Sequence, residues 1–271
     1  MRVSPQVRHL KTVTGAAAQR AGDGRSFVRP RKQQRIVTFK DGADSVDLDL
    51  AMTALIVVDM QNDFLHQEGW FTSKGVDTAP IRAVIPAVER LARAMRATGV
   101  PVIWLNWGVR ADRANLPLFA IAQGRHGGNA TYADPSPSGR GHILVQGDWG
   151  AAIVDELTVT NDDLIVHKHR LSGFWDNELD SILRRLNVTT LLFAGINIDR
   201  CVFSTLQDAN FLGYHCLLVE DACATVSPDF VRDAILYLVR TLHGAVTTSG
   251  AIFSAIGLPE PAPSSSDAAN P

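Results

Sequence analysis

Short apolar runs alternate with longer amphipathic ones from Thr53 to Thr248, and no other feature of the chain restricts its fold so tightly. TALIVVDM (Thr53–Met60) is a continuous, largely β-branched run, the pattern of a strand buried on both faces. Ile81, Val84, Ile85, Val88, Leu91 and Met95 then recur at helical spacing until Gly99 ends the segment. VPVIWLNW predicts a second strand and DDLIVHK a third, separated by a loop-rich stretch with a helix expected near Ala151–Leu157. NELDSILRRLN predicts a short helix, and TTLLFAGI a fourth strand. A helix over Arg200–Leu212, a fifth strand in YHCLLVEDA, a helix in PDFVRDAILYLVRTLHG and a short sixth strand in AVTT complete the series. Strand, helix, strand at this spacing requires right-handed crossovers, hence parallel strands with helices on both faces. The predicted fold class is α/β: a three-layer α/β/α, doubly wound, Rossmann-like architecture around a mostly parallel six-stranded sheet.

The ends of the chain read differently. Residues 1–40 carry ten Lys or Arg against one acid, Asp23, with no sustained apolar period. Residues 1–46 are therefore expected to be a basic arm, flexible or packed on a partner subunit. An Arg-rich, acid-poor segment also suits a transit peptide, whereas a secretory signal would need an apolar stretch that does not follow. Residues 47–258 form the expected domain, and the Pro/Ser/Ala-rich residues 259–271 an expected disordered tail. A formal net charge of -2 favours neither nucleic acid nor an anionic membrane, and no apolar run approaches the roughly 18 residues needed to span a bilayer. The three cysteines form no C-x-x-C pair, which argues against a disulfide framework or zinc ribbon and suits a cytoplasmic location.

In a sheet of this kind ligands bind outside the carboxyl ends of the strands. Asp59 follows the first strand, Asn106 and Trp107 the second, Lys168 the third, and the Gly195–Cys201 loop the fourth. An acid, a base and a thiol are thus directed to one edge. Cys201 opens a helix, where unpaired amides and a nearby Lys168 would favour a thiolate. Asp59 would accept the thiol proton and return it to a leaving amine. Amides of the loop before the cysteine would hold an oxyanion. These parts make a nucleophilic amidase that needs neither metal nor other cofactor. Cys216 and Cys223 are assigned to packing.

ALIVVDMQNDF, the lysine after the third strand, and AGINIDRCVFSTLQDA with LLVEDACAT behind it resemble the isochorismatase-like cysteine hydrolases, over about residues 50–255. HRLSGFWDNELDSILRRLNVTTLLFAGI is most similar to their ureidoacrylate, biuret and N-carbamoylsarcosine amidohydrolase branch. The resemblance implies the isochorismatase-like hydrolase fold, with Asp59 as proton shuttle, Lys168 as triad lysine and Cys201 as nucleophile. It also implies a cis peptide between Ile196 and Asn197, the amides of Asn197 and Cys201 forming the oxyanion hole, and a homo-oligomer, dimeric or tetrameric. The implied reaction is cleavage of a linear C–N bond in a small ureido or carbamoyl compound (ureidoacrylate-, biuret- or triuret-like) through a thioester, with release of ammonia or an amine. True isochorismatases act on a vinyl ether without a nucleophilic cysteine, so Cys201 favours an amide or ureide substrate. The alternatives are a nicotinamidase- or maleamate-type amidase of the same fold and a catalytically silent binding member. The complete Asp59, Lys168 and Cys201 set speaks against the last. Asn197, Ile198 and Arg200 depart from the small residue or Thr, the Thr and the apolar residue usual there, and are expected to shape the pocket or a subunit contact.

Phe64, Trp70, Trp107, Phe174 and Trp175 are the aromatic candidates for substrate contact, and Asn62, Asn106 and His243 the polar ones. Asp63 and His66 lack the second nearby histidine of a zinc site, and His167 and His169 point away from Lys168 in an extended chain, so no metal is expected.

Overall fold

Two antiparallel strands come first in the computed structural model, β1 (Ile36–Asp41) and β2 (Asp44–Asp49), with Ile36 opposite Asp49. The structure describes residues 32–41 and 44–258. Most of the basic arm and all of the tail therefore lie outside the described residues, and everything below belongs to the unit beginning at Gln34. Alternation makes the hairpin: Phe39 and Leu48 are buried in the core, while Thr38 and Asp47 hydrogen-bond on the opposite face. The boundary expected after residue 46 falls inside β2. Its apolar alternation is too short to stand out beside the basic residues that precede it.

The β-branched run forms β3 (Thr53–Val58), every residue buried. With β4 (Val102–Trp107), β5 (Leu164–Lys168), β6 (Thr190–Ile196), β7 (His215–Ala224) and β8 (Ala245–Thr247) it makes a six-stranded sheet ordered β5-β4-β3-β6-β7-β8. Every neighbouring pair in it is parallel. α1 (Ile85–Ala97) covers one face, with Val88, Leu91 and Met95 packed into the cluster of Leu55, Val57, Trp104 and Leu192. α2 (Leu179–Arg185), α3 (Phe203–Phe211) and α4 (Asp229–Leu238) cover the other, over Ile56, Ile103, Leu105 and Phe193. α5 (Ser249–Ala255) returns to the α1 face through Ile252 and Phe253. This is the doubly wound α/β/α sheet expected of the sequence. Strand order reverses between β3 and β6, where a Cβ on Gly195 would fall 2.2 Å from the Val58 carbonyl oxygen. Only glycine lets the two strands close at the switch point.

Three local expectations differ. The helix expected at 151–157 is a single 3-10 turn, Trp149–Ala151. Asn62 N–H to Ala152 O and Val154 N–H to Met60 O hold the following chain along the loop after β3 instead. Pro86 sits in the first turn of α1, and the turn before it, Ala79–Arg82, is separate. The segment expected to begin α3 at Arg200 is a π-turn, Ile198–Val202, with Cys201 inside it. Among the described residues no helix is long and apolar enough to cross a membrane.

Candidate active site

Asp59, the first residue beyond β3, has φ +53°, which turns its backbone sharply at the strand end. Its carboxylate Oδ2 lies 2.9 Å from Lys168 Nζ, and both side chains are buried. Lys168 ends β5 in register with Trp107 of β4, and its ammonium stands 4.1 Å from the centroid of that indole. Nζ also donates to Arg170 O at 3.4 Å. Cys201 keeps 9% exposure as a residue, against 2% for Asp59 and 0% for Lys168, so all three are buried. Thr205 fixes its turn: the hydroxyl donates to Cys201 O at 2.6 Å and accepts from Gly173 N–H at 3.0 Å, tying the cysteine to the loop after β5.

Asp59 and Lys168 both act on the Cys201 thiol at side-chain range. Burial pushes that thiol up to about 12, Asp59 adds to the rise, and Lys168 offsets only part of it. The helix start and the lysine, expected to favour the thiolate, are thus outweighed, and the proton that Asp59 is expected to accept stays on sulfur. Enclosure inside the π-turn costs the anion more than the ammonium returns. Burial also raises the Asp59 carboxyl above its usual range despite Lys168. For Lys168, burial opposes the charged form, but Asp59 and the sulfur outweigh it and the ammonium is held protonated. Asp59 Oδ1 has no partner in hydrogen-bond geometry, which leaves a proton acceptor open in the resting site.

The Ile196–Asn197 peptide bond is cis. Asn197 O accepts from the amides of Arg200 (3.1 Å) and Val202 (3.2 Å), which folds the loop back under the thiol. Asn197 Oδ1 accepts from Val226 N–H at 3.1 Å, and Asp199 Oδ2 from the Ser227 hydroxyl at 2.8 Å. Ile198 is fully buried in the core beneath α3 and α4. The unusual Asn197 and Ile198 are therefore occupied in holding the loop. Arg200 alone remains on the surface, its Nη2 donating to Ser227 Oγ at 3.3 Å.

Of the expected contact residues, Trp107 and Trp70 are both buried against Tyr132. The ring of Tyr132 lies edge-on between them, 5.3 Å from Trp107 and 5.2 Å from Trp70. Burial pushes the Tyr132 phenol up, with Cys201 and Asp59 adding to the rise. Nothing in the sequence around Tyr132 marks it, because it stands in a loop without period. Asn106 is buried with Oδ1 unpartnered, as is Trp107 Nε1. Asn62 donates from Nδ2 to Trp149 O at 2.9 Å, and Phe64 packs in the core against Phe71.

Three expected contacts lie elsewhere. His243 follows α4, which runs antiparallel to the strands and returns the chain to their amino ends. It lines a groove of about 420 Å³ with Thr190, His215 and Ala245, the first residues of β6, β7 and β8. Phe174 stacks near Tyr214, which precedes β7, and Trp175 is exposed with Nε1 donating to Asp208 Oδ2 at 2.6 Å. Beyond Gly173, which touches the nucleophile's turn through Thr205, the segment after β5 carries both rings onto the helical layer.

Gln61 is a positioning residue that sequence reasoning left unassigned. It is fully buried, and its amide donates to Trp107 O and Ala151 O, both at 2.7 Å, and accepts from Trp107 N–H at 2.8 Å. Asp63 is likewise committed: its oxygens accept from the amides of Leu144 (2.8 Å) and Trp70 (3.3 Å), and burial raises its carboxyl to about 6. His66 Nδ1 accepts from Glu68 N–H at 3.1 Å, and its ring meets Trp149 edge-on. Among the described residues no group of three or more His, Cys, Asp or Glu is arranged to hold a metal ion.

Residues 53–251 match the family model described as the Isochorismatase domain. The chain belongs to the isochorismatase family. The match opens at the first residue of β3, so the β1–β2 hairpin precedes the part that carries the family pattern. The ureidoacrylate amidohydrolase RutB of Methylobacterium radiotolerans is 35% identical over 232 residues, 83% of this chain and 88% of that protein. RutB of Yersinia enterocolitica is 37% identical over 201 residues, 72% of this chain and 85% of its own length. Among solved structures, a cysteine hydrolase from Pseudomonas syringae pv. phaseolicola superposes with a TM-score of 0.66 at 25% identity, covering 78% of this chain and 94% of that one. N-carbamoylsarcosine amidase from Thermoplasma acidophilum gives 0.55 at 27% identity, covering 73% and 96%. The isochorismatase-family sheet thus carries the strand-end residues on which the resemblance rested.

Proposed function

We propose that this isochorismatase-family protein is a cysteine-dependent amidohydrolase that cleaves a linear C–N bond of a small ureido or carbamoyl compound. The observation that carries the reading is the buried Asp59–Lys168 pair, 2.9 Å apart, with Asp59 Oδ1 open beside a neutral Cys201 thiol. Asp59 takes the Cys201 proton as sulfur attacks the carbonyl carbon. Lys168 stays charged throughout and balances the negative charge that moves between carboxylate and sulfur. The amides of Asn197 and Cys201 take the oxyanion. The tetrahedral intermediate collapses by breaking the C–N bond, and Asp59 returns the proton to the leaving amine. Water then attacks the carbamoyl or acyl thioester and frees the thiol. From a ureide the second product is a carbamate, which decomposes to ammonia and carbon dioxide without the enzyme's help.

Ureidoacrylate heads the candidate substrates because relatives bearing that name align over most of both chains. Biuret, triuret, nicotinamide and maleamate are the competitors. Ammonia release from this panel, with peptide mapping of acid-quenched enzyme, is the test. Activity on a ureide with the carbonyl fragment on Cys201 is expected. Turnover that survives complete alkylation of Cys201 would reject the mechanism, and activity on nicotinamide alone would reject the substrate class. A cytoplasmic homo-oligomer belongs to the same reading. Three unpaired cysteines support the first part, and exposed Phe211, Phe230, Tyr237 and Leu242 on and after α3 and α4 support the second.

A further inference from the structure

The end of the LLVEDACAT segment lies beside the nucleophile loop, and the reaction as described uses none of it. β7 keeps one register with β6 from Thr190 opposite His215 to Phe193 opposite Leu218, and then shifts: Gly195 stands opposite Cys223 and Ile196 opposite Ala224. Three extra residues of β7 are taken up between these pairings. Such bulges re-aim the chain that follows them. In the unshifted register Ala222 would stand opposite Asn197; the shift brings Thr225 there instead. Thr225 is buried, and its hydroxyl donates to Asp199 Oδ1, lies 3.4 Å from Asn197 Oδ1 and accepts from Ser227 N–H at 3.1 Å. Val226 N–H donates to Asn197 Oδ1 at 3.1 Å, and Ser227 Oγ to Asp199 Oδ2 at 2.8 Å. Three consecutive residues after β7 thus grip Asn197 and Asp199, both in the loop that ends at Cys201. Asn197 carries one of the two amides assigned to the oxyanion. Its carbonyl accepts from the amides of Arg200 and Val202, the residues on either side of Cys201. A rotation of Asn197 is therefore passed to the Cys201 amide as well.

We propose that Thr225 is a positioning residue for the oxyanion hole: with Val226 and Ser227 it clasps Asn197 and Asp199, and so holds the amides of Asn197 and Cys201 on the place where the oxygen anion develops. This rests on the amidohydrolase reading and adds to it a second loop, outside Asp59, Lys168 and Cys201, on which the rate depends. Asn197, one of the three departures in the nucleophile loop, is half of the clasp: an alanine there would leave Val226 N–H without its acceptor.

The experiment follows two reactions of Cys201 in wild type, Thr225→Val, Thr225→Ser and Asn197→Ala. One is ammonia release from the panel ureide that wild type turns over fastest. The other is labelling by methyl methanethiosulfonate, a thiol reagent that has no carbonyl and so forms no oxyanion. In T225V and N197A kcat is expected to fall roughly tenfold to a hundredfold with KM within about threefold, because a displaced oxyanion donor is missed mainly in the transition state. Labelling of Cys201 should stay within about twofold of wild type, since it depends on the thiol and its access alone. T225S keeps the hydroxyl and should recover most of kcat. Wild-type kcat in T225V, or equal kcat in T225V and T225S, overturns this inference and leaves the amidohydrolase reading standing. Labelling that falls in step with kcat shows that the clasp supports the whole turn rather than the oxyanion amides, and also overturns it. N197A, which leaves Thr225 bonded to Asp199, carries the same test if T225V does not fold, and wild-type kcat in it overturns the inference equally. A wild type that turns over no ureide of the panel removes the functional reading as well.

Discussion

Replacing Asp59 with Asn should make the nucleophile more ionised and the enzyme far slower, a combination that separates proton transfer from thiol activation. In the wild type the thiol is held near 12, so at pH 8 the thiolate fraction is about one in ten thousand, against about a tenth for an ordinary cysteine. Asp59 contributes to that rise both through its charge and through its side-chain contact with sulfur, while Lys168 works the other way. The Asn variant removes both contributions of the carboxylate and keeps the ammonium. A fall of only about one pKa unit raises the thiolate fraction about tenfold, and the lower nucleophilicity of a more acidic thiol takes back part of it, leaving alkylation roughly threefold faster. Turnover should nonetheless drop by about a hundredfold to ten-thousandfold, because no group remains to take the proton and return it to the amine. The assay is iodoacetamide labelling across a pH series, with mass mapping to distinguish Cys201 from the buried Cys216 and Cys223, alongside ammonia release. Slower labelling of Cys201 in Asp59→Asn, or turnover within tenfold of wild type, would refute the reasoning.

Lys168→Met leaves a buried carboxylate without its cation and should cost about 3–5 kcal/mol by denaturant titration, the deficit shrinking as pH falls and Asp59 protonates; a deficit independent of pH would contradict it. The Asp63 carboxyl is raised from 3.8 to about 6, so the stability it contributes is fully present below about pH 4 and is lost as pH rises through 6. Asp63→Asn does not titrate, and its stability relative to wild type should improve by roughly 3 kcal/mol between pH 4 and pH 8; parallel melting curves would reject this. Gln61→Leu strands the backbone of Trp107 and the carbonyl of Ala151, and should cost about 3 kcal/mol in thermal unfolding while displacing the indole beneath Lys168. An unchanged melting temperature would remove Gln61 from the positioning role.

What the sequence disclosed follows from how far each feature depends on local pattern. The sheet was readable because β3, β4 and β6 are buried on both faces and so contain almost nothing but apolar residues. Asp59, Lys168 and Trp107 were readable because in a parallel sheet the end of each strand lies on one edge, whatever the loops do. His243 misled because the same rule inverts for helices, whose carboxyl ends return to the opposite edge. Tyr132 and Thr205 act through contacts with chain segments distant in sequence, and no period or motif reports such contacts. The rise in the Cys201 thiol's pKa was illegible for a related reason. A helix start and a lysine are visible along the chain, but the enclosure that outweighs them belongs to the packed interior. Gln61 lay within a quoted motif, yet only the three hydrogen bonds to Trp107 and Ala151 give it a role.

Sulfur as the attacking atom is tested most directly by removing it. Cys201→Ala deletes one atom from a pocket that keeps the Asp59–Lys168 pair, so the variant should fold with a wild-type circular dichroism spectrum and melt at least as high. Ammonia release from the best ureide of the panel is expected to fall to the uncatalysed rate. Release by a folded Cys201→Ala enzyme at even a hundredth of the wild-type rate would mean that water or another group attacks the carbonyl, and covalent catalysis by this cysteine would be excluded.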